Sequence, residues 1–197
     1  GLLKDIRIPP DSLEALQLNL IRSHCAGLGG PLPPGATRAV MLLRAHVLAR
    51  GYSGVRPLVV ETLLAHLNAD LLPVIPEKGS VGASGDLAPL AHLALALLGE
   101  GEVLLKGVRM PAAEALKTTG IEPLRLGPKE GISLINGTQL IAAVGALALL
   151  EAERLAIAAD IAGACSLEAL KGSHHPFDER LHALRPYPGQ VQSAANL

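Results

Sequence analysis

The chain has 197 residues, a formal net charge of −1, 49% hydrophobic side chains and only 2% aromatic ones. That length suffices for one domain with a sizeable core or two small ones. Scattered lysine and arginine, a pI near 6.7 and the scarcity of aromatic rings exclude a phosphate-tracking or base-stacking surface, so nucleic acid is not an expected partner.

The periodicity along the chain is mostly helical. Asp11 or Ser12 can cap a first helix running to about Ala26, with Leu13, Leu16, Leu20 and Ile21 on one face. Residues 27–35 read as a proline- and glycine-rich connection. A second helix is predicted from about Ala36 to Arg50, closed by Gly51, and a third from Pro57 to about Asn68. Pro73 and Pro76 bracket an extended approach to a glycine-rich loop. Asp86 can then cap a helix from Leu87 to Leu98, which tolerates Pro89 in its first turn and ends at Gly99.

Residues 102–110, interrupted by Lys106-Gly107, read as a small hairpin, and 111–119 as a short helix. After a loop over 131–137, a long helix is predicted from Thr138 to Ile161, roughly 36 Å at 1.5 Å per residue. It is rich in alanine and leucine nearly all round, as a buried central bundle helix should be. Short helices are predicted over 166–170 and 178–184, and an irregular tail over 185–197. The apolar stretches 93–98 and 140–150 are too short to cross a bilayer, so no membrane partner is expected. The mean hydropathy of +0.37 points to a helix-packed interior and a subunit interface. Cys25 and Cys165 read as buried thiols of a reducing cytoplasm, with a single disulfide between them left open.

The chemistry concentrates in Gly79-Ser80-Val81-Gly82-Ala83-Ser84-Gly85-Asp86-Leu87-Ala88-Pro89-Leu90. Attack of the Gly85 nitrogen on the Ala83 carbonyl with loss of water would close a five-membered ring. Loss of the Ser84 hydroxyl as a second water would leave a methylidene conjugated to the ring carbonyl, an electrophile that ordinary side chains do not provide. Gly85, without a Cβ, can bend into the approach that cyclisation needs, and Ala83 is small enough not to obstruct it. Ala-Ser-Gly alone favours a glycine-rich turn capping an ordinary helix, and only the full segment around it reverses that reading. The glycines at 79, 82 and 85 match neither a dinucleotide fingerprint nor a P-loop, and Ser84 does not sit in a nucleophile elbow. No HExxH or Cys-His spacing suggests a metal site.

In its full length, the segment from Gly79 to Ala91 resembles the signature of the aromatic amino-acid ammonia-lyases. The resemblance implies a mainly α fold, a helical core segment of an ammonia-lyase-like helix bundle with a small β-hairpin. It also implies a protein-derived 4-methylidene-imidazol-5-one made from Ala83, Ser84 and Gly85, with Gly82 and Asp86 supporting the loop or ring formation, and no metal or dissociable cofactor. A second segment, Glu130 to Gln139, resembles the family's second signature and puts Asn136 beside the prosthetic group, in contact with it or with the substrate amine. By residue type alone, Asn136-Gly137 is also an ordinary turn before a helix. Thr138 is expected to cap the long helix, turning its positive end toward the site.

Ser23-His24 resembles the substrate-selecting pair of histidine ammonia-lyases, where His24 would hydrogen-bond an imidazole ring; a lone histidine at a helix end is more often a capping or solvent-facing group. The implied reaction is elimination of ammonia from L-histidine to give trans-urocanate. Phenylalanine or tyrosine ammonia-lyases and aminomutases are the alternative within the family. A non-catalytic helical assembly module with an uncyclised triplet is the alternative outside it.

The resemblance further implies a cytoplasmic homotetramer and an essential tyrosine upstream of Gly1-Leu2-Leu3, with further site groups downstream. Tyr52 and Tyr187 fall in neither place and take no role. Residues 1–197 are therefore expected to be a single core segment, incomplete at both ends and inactive alone.

Overall fold

The computed structural model describes residues 8–197; Gly1, Leu2 and Leu3, at the edge of the expected upstream motif, lie outside the described residues. The described residues divide into two compact units, one ending at Gly145 and the other comprising Ala146–Leu197. The fold is mainly α, as expected.

In the first unit, a 3-10 turn (Pro10–Ser12) leads into α1 (Leu13–His24). Of the predicted face of α1, Ile21 is buried and Leu13 and Leu20 are half-buried, but Leu16 is 41% exposed and Gln17 is buried as well. Gln17 is drawn inward because its Oε1 accepts the Gly131 N–H at 2.9 Å. The connection that follows contains a strand, β1 (Leu28–Pro31), antiparallel to β3 (Pro76–Lys78). Two helices with proline in the first turn then pack together, α2 (Pro34–Ala49) and α3 (Pro57–Asn68).

Strand β2 (Leu71–Pro73), β4 (Glu102–Leu105) and β5 (Val108–Pro111) form an antiparallel sheet in the order β2-β4-β5. The expected hairpin is β4-β5; its two-residue turn, Lys106-Gly107, has φ of +49° and +84°, which suits a tight connection between twisted strands. Helix α5 (Ala112–Thr119) closes on Gly120 at φ +68°, and with β4 it buries Val103, Ala115 and Leu116.

Helix α4 (Leu87–Leu97) is apolar on nearly every side and lies at the centre of the first unit. Leu90, Ala91, Leu93, Ala94 and Leu97 are inaccessible and share one core with Val40, Met41, Leu48, Val59, Leu63, Leu134 and Ile135. Full burial of each such leucine is worth roughly 1.5–3 kcal/mol, so the loop preceding α4 starts from a fixed anchor. The 131–137 region, expected as a loop, contains a short helix, α6 (Glu130–Ile135). It is secured by Glu130, 2% exposed, whose carboxylate accepts from Arg56 Nη2 at 2.7 Å and from the Gly127 N–H at 2.6 Å. Burial pushes that carboxyl upward, but the Arg56 and Gly127 bonds outweigh it and hold its pKa below the ordinary value.

Helix α7 (Gln139–Ala169) absorbs the short helix expected over 166–170. Its expected burial is not observed: among the described residues only Gln139, Leu140 and Ala143 of α7 are buried, while Leu149, Leu155, Ile157 and Ile161 are each at least 60% exposed. The composition specifies an apolar surface on all sides, and most of that surface is exposed among the described residues. In the second unit, α8 (Glu179–His182) is capped by Asp178, which accepts the Arg180 N–H at 3.0 Å. The expected irregular tail is instead largely α9 (Pro188–Asn196). Pro188 opens it, and Asn196 ties its end to Asp160 at 2.6 Å. Cys165 is exposed and Cys25 half-buried, and both are free thiols, so neither the buried pair nor a disulfide is observed. Burial pushes the Cys25 thiol up to about 11.

His66, on α3, is completely buried, and neither ring nitrogen has a hydrogen-bond partner among the described residues. Burial lowers its pKa to about 4. The unfolded chain therefore binds the proton more readily, and the neutral ring's contribution to stability is present above about pH 6.5 and lost as pH falls toward 4. Replacing His66 by leucine is expected to raise stability by about 1–2 kcal/mol, because an unsatisfied buried polar group is removed. The same change should flatten the acid limb between pH 6.5 and 4. Denaturant melts at pH 7 and 4.5 check both; a variant less stable at pH 7 would contradict the first.

Candidate active site

The signature loop enters from β3 and leaves into α4, so both of its ends are fixed while its middle is exposed. Val81, Gly82, Ala83 and Ser84 are exposed and Gly85 is half-buried. Gly82 and Gly85 have φ of +64° and +112°, conformations that L side chains resist. At Gly85 there is also no space: a Cβ would lie 2.9 Å from Asn136 Oδ1, 2.9 Å from the Gly137 nitrogen and 3.0 Å from the Gly137 carbonyl oxygen. The two signature segments, about fifty residues apart in sequence, thus meet at Gly85 and Asn136.

Asp86 locks this meeting. It is fully buried. Its N–H donates to the Gly137 carbonyl at 2.6 Å, its Oδ1 accepts from Ser80 Oγ at 2.5 Å, and its Oδ2 accepts the Ile141 N–H at 3.0 Å. Asp86 was expected to cap α4 with its side chain, but its carboxylate makes no bond to that helix. It caps α7 instead, taking a first-turn amide, the duty expected of Thr138. Negative charge at that helix start is favourable, so the carboxylate belongs there electrostatically as well. Ser80 Oγ in turn accepts the Gly82 N–H at 3.3 Å, which carries the restraint into the loop. The first-turn amides of α7 are thereby partly committed to Asp86 rather than wholly open to a ligand.

Ser23 and His24 close α1. Their side chains bond within their own helix: Ser23 Oγ donates to the Leu20 carbonyl at 2.8 Å, and His24 Nδ1 meets the same oxygen at 2.8 Å. A carbonyl only accepts, so Nδ1 carries the proton and Nε2 is the acceptor of the neutral ring. The pair makes no hydrogen bond to the 82–86 loop, but the chain just beyond it passes close to the loop's start. A Cβ on Gly79 would lie 3.3 Å from the Gly27 Cα, and the Gly27 N–H donates to His92 Nε2 at 3.2 Å. His92, lowered in pKa by burial, is kept as a neutral acceptor on α4 and is a structural group.

Two contributors were not visible among the sequence candidates. Ser80 lies inside the signature, and its partner six residues on could have suggested the bond. Arg44 lies within the apolar run 39–48 of α2, and a lone charge there is the signal that marks it. It is 2% exposed, and its guanidinium reaches the Asn136 turn.

A sequence profile of the family described as "Aromatic amino acid lyase" matches residues 1–197. The chain belongs to that family. It is 56% identical to a histidine ammonia-lyase of Anaeromyxobacter dehalogenans (strain 2CP-C), with 100% of this chain and 40% of that protein aligned. Among solved structures, it is similar to histidine ammonia-lyase from Trypanosoma cruzi, with a TM-score of 0.93 and 44% identity over 98% of this chain and 38% of that one. It is also similar to Pantoea agglomerans phenylalanine aminomutase, with a TM-score of 0.89 and 35% identity over 95% of this chain and 36% of that one. The chain thus spans about two-fifths of the length of these relatives.

Proposed function

We propose that this chain is the electrophile-bearing segment of an enzyme that eliminates ammonia from L-histidine to give trans-urocanate. The observation that carries the reading is the seat of Gly85, a strained glycine with no room for a Cβ and with the Asn136 amide against it. A ring closed from Ala83, Ser84 and Gly85 fits these residues. The backbone at Gly85 is already bent away from the extended and helical regions, and the Ser84 side chain is open to solvent rather than packed. The 4-methylidene-imidazol-5-one group would supply an electrophilic carbon that helps the substrate's amine to leave.

The other roles follow from the chemistry of the side chains. Asn136 offers an amide donor and acceptor next to the triplet without adding charge. Asp86 holds the loop against the turn, and Gly82 lets the backbone reverse ahead of Ala83. His24, with Nδ1 committed to Leu20, offers Nε2 to the N–H of an imidazole, which supports histidine over phenylalanine or tyrosine as substrate. The exposed apolar length of α7 supports self-association, for which we propose a homotetramer; a cytoplasmic setting is inferred from the family resemblance alone. The likeness to an aminomutase keeps a phenylalanine or tyrosine enzyme as the second reading.

Turnover of L-histidine and L-phenylalanine by the complete enzyme tests the substrate; cinnamate without urocanate would transfer the reading to the second class. The 197-residue chain alone is expected to release no urocanate. Its tyrosines, Tyr52 and Tyr187, are 87% and 68% exposed, and loss of a general base typically costs about 10²–10⁴ in rate. Robust turnover by the chain alone would contradict that expectation. Intact mass reports ring closure independently, as a deficit of about 36 Da for two waters.

A further inference from the structure

Arg44 carries a positive charge in a place where charge is expensive. Among the described residues no carboxylate pairs with it, its Nε has no partner, and burial pulls its pKa down to about 10. An unpaired buried cation is destabilising unless hydrogen bonds compensate for its lost hydration. Among the described residues, every hydrogen bond of its side chain goes to one short segment. Nη2 donates to the Ser133 carbonyl and, at 3.1 Å, to the Asn136 carbonyl, while Nη1 donates to Gln139 Oε1 at 2.8 Å.

These three acceptors straddle the turn. The Ser133 carbonyl lies in the last turn of α6, where helical carbonyls lack intrahelical donors and a cation is favourable. The Asn136 carbonyl belongs to the turn itself, and Gln139 opens α7. A planar guanidinium can hold all three at once; an ammonium on a flexible stem cannot hold them in the same geometry. Gly137 gives a second, independent sign of the same fit. A Cβ there would collide with the Gln139 side chain and with Arg44 Nη1, so the turn is shaped to admit the guanidinium.

We propose that Arg44 is the positioning residue for Asn136. By gripping the turn from the α2 side while Asp86 grips it from the loop side, it keeps the Asn136 amide against Gly85. This rests on the proposed role of Asn136 beside the cyclised triplet. Arg44 itself acts only through the turn.

The test is a double-mutant cycle in the complete enzyme, measuring kcat and KM for histidine. Arg44→Lys is expected to lower kcat by about 10- to 100-fold with KM changed by less than about twofold, since a misplacement on the scale of an ångström is enough for such losses. In an Asn136→Ala background the same change is expected to lower kcat by less than about threefold, because the group it positions is gone. Equal losses in both backgrounds, or no loss in either, would overturn the proposal; a merely structural role predicts the former. If Arg44→Lys does not accumulate folded, Gln139→Met removes one of the three acceptors and is run through the same cycle. Coupling to Asn136→Ala supports the proposal there, and additivity overturns it. An inactive parent enzyme overturns the functional reading and this inference with it, whereas an active parent with additive losses overturns this inference alone.

Discussion

Gly85→Ala in the complete enzyme is expected to leave the triplet uncyclised and to reduce turnover by about 10³-fold or more, in the range found when a reacting group is removed. Two effects coincide at this position. A φ of +112° is strained for any residue with a Cβ, by roughly 1–3 kcal/mol. The Cβ would also press on Asn136 Oδ1 and on both polar atoms of the Gly137 backbone, at 2.9–3.0 Å. Relief requires the loop and the turn to separate, which removes the bend that ring closure needs. Gly107→Ala is the control. That glycine has a φ of +84° and nothing within 4 Å of a new Cβ, so it adds strain without a collision. Its turnover should stay within about twofold of the parent, as expected for a surface change remote from the site. Intact mass and kcat measured on the two variants together separate the collision from the strain; a Gly85→Ala protein with the full mass deficit would refute the argument.

The second large effect is expected at Asp86. Asp86→Ala strips the acceptor from Ser80 Oγ and from the first turn of α7, leaving two groups without their partner beside a buried site. Each lost partner costs about 1–3 kcal/mol, so a loss near 3 kcal/mol in stability is expected. The cyclised fraction should fall with it, because the Ser80–Gly82 branch of the restraint is released. Asp86→Asn keeps one acceptor oxygen and should fall between the parent and the alanine variant in both unfolding midpoint and mass deficit. Unchanged cyclisation in Asp86→Ala would show that Gly85 is held by the Asn136 turn without help from this carboxylate.

The contrast between what was legible in the sequence and what was not has a physical pattern. The start of α3 at Pro57, the close of α5 at Gly120 and the β4-β5 turn at Lys106-Gly107 are punctuated locally, and those elements were anticipated closely. Strand β1 was missed because Leu-Gly-Gly-Pro has no side-chain alternation; it is a strand only through backbone pairing with β3, some fifty residues away. Helix α6 was missed because its stability lies in the Arg56–Glu130 pair and the Gln17–Gly131 bond, both distant in sequence. Helix α7 is less buried than its composition predicts, because composition states how apolar a surface is, not what covers it. At the candidate site the triplet, Asp86 and Asn136 stand out as short motifs. Arg44 does not, since its bond to the Asn136 carbonyl forms only when residues 92 positions apart come together.

Asp86 and Ile141 are separated by 55 residues, and Arg44 and Asn136 by 92. Contacts of that span form late, after the intervening chain has been brought together against its loop-closure entropy. On the proposed reading, a nascent chain emerging from the ribosome would carry Ala83-Ser84-Gly85 as an inert tripeptide until the start of α7 had been synthesised and docked. Maturation of the electrophile would then act as a check on folding, and a misassembled molecule would remain chemically harmless to the nucleophiles around it.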